Sequence, residues 1–178
     1  MPVSVSQPLA KHVVQWDEYS GRFEARAMVE IRARVSGFVE KLHFSDGQWV
    51  NAGEPLFTID KRPYEIAVES AIADVARNKA QVELAELGVQ RGAALIGSRT
   101  INEAENDTRK SNLAVARAQL KAAEAALHNA QLNLEWTDVT APLAGRISDR
   151  KVDAGNLIQG GQSGATLLAT IVSTDPIY

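Results

Sequence analysis

Residues 36–60, SGFVEKLHFSDGQWVNAGEPLFTID, read like a domain cut in half. Apolar residues alternate through Phe38, Leu42 and Phe44 against Lys41 and His43, the period of a half-buried strand. SDG (45–47) and NAGEP (51–55) are turn signals, and the short strand LFTI (56–59) follows them. No catalytic set is visible, and the pattern stops at Asp60, where a long helical period begins. So few short strands cannot bury their own apolar face. The other half must lie elsewhere in the chain.

The composition around this stretch is β, then α, then β. Residues 1–60 are rich in β-branched and aromatic residues and punctuated by Gly and Pro, and Ile31, Ala33 and Val35 alternate with Arg32 and Arg34. Residues 63–135 are dense in Ala, Glu, Gln, Asn, Leu and Val, with no proline after Pro63. Residues 136–178 return to the first style.

The missing half appears as an internal repeat. Gly37 and Gly145 lie 108 positions apart, and the same offset pairs Gly47 with Gly155, Val50 with Ile158 and Gly53 with Gly161. After a four-residue insertion, LFTI (56–59) matches LATI (168–171). Shared glycines and apolar positions at one offset mark two copies of one unit. Packed together they predict a small flattened β-sandwich, with everything between them inserted.

That insertion carries two seven-residue ladders. Val68, Val75, Val82, Val89 and Ile96 recur in the first arm, with Ala71, Asn78, Ala85 and Gly92 three places on. Leu113, Leu120, Leu127 and Leu134 recur in the second, with Ala116, Ala123 and Ala130 three places on. Such ladders are helices facing a partner seam. The only break is GSRT (97–100), and so short a connection predicts an antiparallel hairpin. Each arm would be a rod of roughly 50 Å. Pro63 suits the first helical turn, and the second arm starts with Asn102 and Glu105 as a capping pair or with Thr100 and Glu103. Asn78, polar within the seam, is expected to fix register. Trp49 and Trp136 are expected to pack the sandwich or its junction with the hairpin.

Several functions fall away. A net charge of −3 lacks the basic footprint of a nucleic-acid binder. No run of 18 apolar residues reads as a membrane-spanning helix, and MPVSVSQPLAKHVV does not read as a signal peptide. There is no cysteine, and His12, His43 and His128 sit in separate segments without ligand partners at useful spacing. No paired carboxylates or Ser-His-Asp set can be placed around one pocket. No catalytic, metal or cofactor residues are therefore assigned. GGQSGATLL (160–168) lacks the Gly-Lys-Ser/Thr end of a phosphate loop and reads as a longer turn in the second copy.

With these parts in place, the chain resembles the periplasmic adaptor subunits, or membrane fusion proteins, of bacterial tripartite efflux pumps (the HlyD-type family). EYSGRFEARAMVEIRARVSGFV (18–39), FSDGQWVNAGEPLFTIDKRPYE (44–65) and LNLEWTDVTAPLAGRISDRKVDAGNLIQGG (132–161) carry the resemblance. It implies an α+β fold in which a biotinyl-lipoyl-like β-sandwich is split by an inserted antiparallel coiled-coil α-hairpin. N-terminal strands of an incomplete β-barrel would precede it. The expected parts are barrel strands at 1–30, the first half-domain at 31–62, the hairpin at 63–135, the second half at 136–174 and a barrel start at 175–178. The expected chain is a fragment or trimmed core of an adaptor, resident in the periplasm beside the inner membrane.

The same resemblance implies a partner set and no enzyme activity. An adaptor bridges an inner-membrane exporter and an outer-membrane channel of the TolC type, with copies assembling into a ring, a hexamer in the pump. DKRPYE and the hairpin length look more like adaptors of proton-driven (RND) exporters than of ABC or MFS exporters. The family's tip motif of Arg, Leu four later and Ser seven after that matches Arg91 and Leu95, with Asn102 in place of serine. The implied docking surface is Arg91, Leu95, Gly97, Ser98 and Asn102. Two competing readings stand beside it. Lys61, after Asp60, sits near the place of a lipoyl or biotinyl attachment lysine. A free-standing coiled-coil scaffold would instead dimerise through the hairpin.

Overall fold

The computed structural model describes residues 1–20, 25, 27–97, 103–161 and 164–173. The chain runs through β1 (Met28–Arg32), β2 (Gly37–Leu42), β3 (Trp49–Val50) and β4 (Pro55–Ile59). Two long helices follow, α1 (Arg62–Gly97) and α2 (Glu103–Glu135). It then returns to strands β5 (Asp138–Thr140), β6 (Gly145–Ile147), β7 (Leu157–Ile158) and β8 (Leu167–Val172). Among the described residues the strands form two four-stranded sheets, ordered β1-β8-β6-β3 and β5-β4-β2-β7.

The two halves exchange strands. The short strand of the first half, β3, pairs with β6 of the second, with Trp49 opposite Arg146 and Val50 opposite Gly145. The short strand of the second half, β7, pairs with β2 of the first, with Phe38 opposite Leu157 and Gly37 opposite Ile158. These two ladders have the same register under the repeat offset. So do β4 against β5 and β8 against β1: Thr58 faces Asp138 as Thr170 faces Glu30, and Phe57 faces Val139 as Ala169 faces Ile31. The repeat therefore starts earlier than Gly37. Ile31, Ala33 and Val35 correspond to Val139, Ala141 and Leu143.

This exchange produces a core that neither half owns. Leu56, Phe57, Ile59, Ile147, Ile158, Leu168 and Ile171 are fully buried, drawn from β4, β6, β7 and β8. Each such side chain stabilises the fold by about 1.5–3 kcal/mol, so the interior depends on both halves meeting. Phe44 packs edge-on against Phe57 with ring centroids 5.2 Å apart. Trp49 differs from expectation: it points outward and is 49% exposed, while Val50, its neighbour in the strand alternation, is buried. Trp136 lies at the junction, partly buried against the core.

The repeated glycines do two separate jobs. Gly47 and Gly155 take the left-handed backbone at φ 76° and 90°, as do Gly53 and Gly161 at 83° and 123°. Side chains strain there, which explains glycine at both members of each pair. Gly37 and Gly145 instead mark close approaches. A Cβ at Gly37 would lie 2.8 Å from the Ile59 Cγ2 methyl, whereas one at Gly145 would crowd the backbone carbonyl of Val172.

Residues 1–20 are exposed and carry no regular secondary structure. The expectation of barrel strands over 1–30 thus meets, in the described residues, only the strand β1 at its end, and β1 is paired to β8 of the sandwich. An extended segment needs a neighbouring edge for its backbone groups, and no such pairing reaches residues 1–20. The proposed barrel start at 175–178 lies outside the described residues.

The exchanged core yields a prediction. Gly145→Ala should cost about 2–3 kcal/mol in urea unfolding, because backbone must move. Its counterpart Gly37→Ala should cost about 1 kcal/mol less, because a buried side chain, Ile59, and not backbone must shift. Equal losses would mean that the backbone approach at Gly145 is not limiting.

Candidate functional site

The candidate site is the arm formed by α1 and α2, together with the shoulder that holds it. Its local origins are plain at the base. The Lys61 carbonyl accepts from the Tyr64 and Glu65 N–H groups, both at 2.9 Å, which makes Lys61 the first cap of α1. Asp60 accepts from the Arg62 backbone N–H at 3.1 Å and from its guanidinium at 2.9 and 2.7 Å. The Arg62 side-chain hydrogen bond holds the Asp60 carboxyl below the usual carboxylate range. Pro63 is the second residue of the helix, where a missing N–H costs nothing.

Four contacts weld the arm to the sandwich. Tyr64 donates its hydroxyl to the Ser36 carbonyl at 2.6 Å. Lys61 Nζ lies 2.6 Å from Asp138 Oδ2, linking the start of α1 to β5. Thr137, fully buried, ends α2 by donating its hydroxyl to the Leu134 carbonyl at 2.6 Å, and its own carbonyl accepts from the Ile59 N–H at 2.9 Å. The Arg34 guanidinium sits 5.6 Å from the Trp136 ring centroid, within cation–π range.

The ammonium of Lys61, the candidate attachment lysine, is engaged by Asp138. A carrier lysine needs a free amine at the tip of a tight turn, and here the next residue begins a 36-residue helix. The geometry therefore offers little to a lipoyl or biotinyl attachment.

Along the arm, the seam side carries the buried and half-buried residues. On α1 these include Val68, Ala71, Val75, Asn78, Val82, Ala85, Val89 and Gly92, while most of the remaining helix is exposed. On α2 they include Leu113, Ala116, Leu120, Ala123, Leu127, Ala130 and Leu134. Val82 and Ala116 are the most enclosed apolar members. The side chain of Ile96 lies outside the described residues. Asn78, expected to fix register, makes its hydrogen bond within its own helix. Its amide turns back to the Asp74 carbonyl at 2.8 Å, four residues earlier on its own helix. An exposed ion pair, Arg117 to Glu86 at 2.7 Å, joins the two helices instead.

Towards the tip the seam changes character, which sequence reading missed. Asn106 is 8% exposed and Arg109 half-buried, at the positions where leucine and alanine stand lower down. Arg109 donates to the Gly88 carbonyl of α1 at 3.3 Å and to Glu105 at 2.7 Å. The available signal was the ladder itself: Leu113, Leu120, Leu127 and Leu134 continue backwards to Asn106, not to an apolar residue.

Of the tip residues singled out from sequence, Arg91 lies on α1 and is exposed. Leu95 and Gly97 fall on the last turns of α1, and their surroundings lie outside the described residues, as do Ser98 and Asn102 altogether. Of the six glycines expected at lipoyl-like turns, Gly47, Gly53, Gly155 and Gly161 sit in turns or bends, whereas Gly37 and Gly145 begin strands β2 and β6, and all six lie in the sandwich. Among the described residues no group of three or more His, Cys, Asp or Glu side chains could hold a metal ion. No helix there is long and apolar enough to cross a membrane.

Known proteins similar to this chain are multidrug efflux and resistance proteins. The chain is 39% identical to the multidrug efflux pump subunit AcrA of Escherichia coli (strain K12) over 161 residues, which is 90% of the chain and 40% of that protein. It is 34% identical to the multidrug resistance protein MdtA of Erwinia amylovora over 176 residues, 99% of the chain and 43% of that protein. The chain thus spans about two fifths of the length of these curated relatives. Among solved structures, a MacA-MexA chimera containing the Pseudomonas aeruginosa MexA α-hairpin domain superimposes with a TM-score of 0.62 at 26% identity. That match covers 85% of the chain and 49% of the chimera. The family model described as "RND MFP, barrel-sandwich hybrid domain" matches residues 27–170, so the chain belongs to the RND membrane fusion proteins and carries their barrel-sandwich hybrid domain.

Proposed function

We propose that this chain is the arm-bearing part of a periplasmic adaptor. It links an inner-membrane, proton-driven exporter to an outer-membrane channel of the TolC type, for efflux of drugs or other small molecules. The observation that carries this reading is a rigid helical hairpin inserted between two strand-exchanged half-domains, in a chain with close kinship to multidrug efflux subunits. Nothing in this arrangement requires catalysis. The sandwich fixes the base of the arm, and the arm carries its tip roughly 50 Å away.

On this reading the tip residues Arg91, Leu95, Gly97, Ser98 and Asn102 form the surface that meets the channel, and the adaptor works in the periplasm beside the inner membrane. Several copies pack into a ring, a hexamer in the complete pump. The second helix offers smooth small-residue surface for such packing, since Ala114, Ala118, Ala122, Ala125 and Ala126 are all exposed.

A strain lacking the parent gene tests the proposal. Restoring the full-length parent protein should restore drug resistance. The same protein with Arg91→Glu should be made at a normal level and leave resistance at that of the deletion strain. Lys79→Glu, an exposed position on α1 well below the tip, should restore resistance fully. Full resistance with Arg91→Glu would remove the tip from the function.

A further inference from the structure

Three departures from the seam pattern fall at one height of the hairpin. Gly92 stands where Ala71 and Ala85 stand lower on α1, Asn106 stands where Leu113 stands on α2, and Arg109 stands where Ala116 stands. They touch one another. A Cβ at Gly92 would lie 2.9 Å from Arg109 Cδ and 3.1 Å from Asn106 Oδ1. The absent side chain of Gly92 is therefore the notch in which the Arg109 stem and the Asn106 amide rest. From that notch the Arg109 guanidinium reaches across the seam to the Gly88 carbonyl at 3.3 Å and back along its own helix to Glu105 at 2.7 Å.

The layer is held differently from the seam beneath it. Val against Leu and Ala is held by water exclusion, which no polar group can replace. The Arg109 bonds are ones that water can compete for, and among the described residues the buried Asn106 Oδ1 and Arg109 Nε atoms have no hydrogen-bond partner. Buried polar atoms left unpaired weaken a layer, while a cation bonded both across the seam and along its own helix specifies its geometry. The base of the arm is welded to the sandwich, so the far end is the place where the helices could otherwise separate.

We infer that Arg109, seated in the Gly92 notch, is a polar clasp that sets the spacing of the two helices next to the tip. It makes the end of the arm a unit that opens separately from the apolar seam below. Arg91 lies directly beside Gly92 on α1, so the clasp positions the residue that the proposed docking depends on. The role in docking rests on the function proposed above, whereas the clasp itself can be measured without any channel.

Amide hydrogen exchange on the whole chain provides that measurement. Arg109→Ala should speed exchange roughly tenfold or more in residues 88–94 and 104–112, while residues 68–82 and 116–132 stay within about twofold. Arg109→Leu, which fills the notch without hydrogen bonds, should behave like Arg109→Ala. Gly92→Ala should also loosen the tip segment, but should add little further in the Arg109→Ala background, because both changes break one contact. Gly88→Ala has open space around its Cβ and should leave the tip protected. Full protection with Arg109→Leu, exchange that rises evenly along the arm, or additive effects of the two substitutions would each overturn the clasp. If the clasp stands and Arg91→Glu still supports efflux, only the docking role fails.

Discussion

The structure depends on an exchange: each half of the sandwich lends its shortest strand to the other half. β3 and β7 are two-residue strands with little to hold them at home. Their pairing across halves, in matching register, closes the sheets over a shared core. Two chain segments separated by more than 70 residues must therefore meet before either is stable. A flexible insertion of that length would add a loop-closure penalty, although such penalties grow slowly with length. The hairpin lowers it by returning its own ends to the same place.

The shoulder turns that requirement into a mechanical property. Tyr64, Lys61, Thr137 and the Arg34–Trp136 contact bind both helix bases to both halves of the sandwich. These contacts tie the arm to the domain at the point where it leaves. At the opposite end the apolar ladder gives way to the polar Asn106 and Arg109. If the tip docks to a partner as proposed, the contact would be made by the polar end of the arm and its root held by the sandwich.

Much of this was legible in the sequence because it rests on strict periods. The seven-residue ladders predicted two helices facing a seam, and the glycines at a fixed offset predicted two related halves. The left-handed turns at Gly47 and Gly155 leave that signature because few side chains tolerate such a backbone. The strand exchange was hidden, since pairing partners lie on opposite sides of the hairpin and no local pattern names them. The early start of the repeat was obscured by Arg32 and Arg34 on one side and Thr140 and Pro142 on the other. Outward-facing positions are free to differ, and only Ile31–Val139, Ala33–Ala141 and Val35–Leu143 keep the relation. Asn78 and Lys61 misled for a related reason: sequence places a polar group on a face but cannot say which partner it finds, an Asp74 carbonyl or an Asp138 carboxylate.

The most direct measurement is site-specific photocrosslinking in cells, with a photoreactive amino acid at position 91 of the full-length adaptor and a second probe at position 79. Docking through the tip predicts an adduct with an outer-membrane channel from position 91 and none from position 79. Channel adducts from both positions, or only adaptor-to-adaptor adducts from position 91, would contradict it.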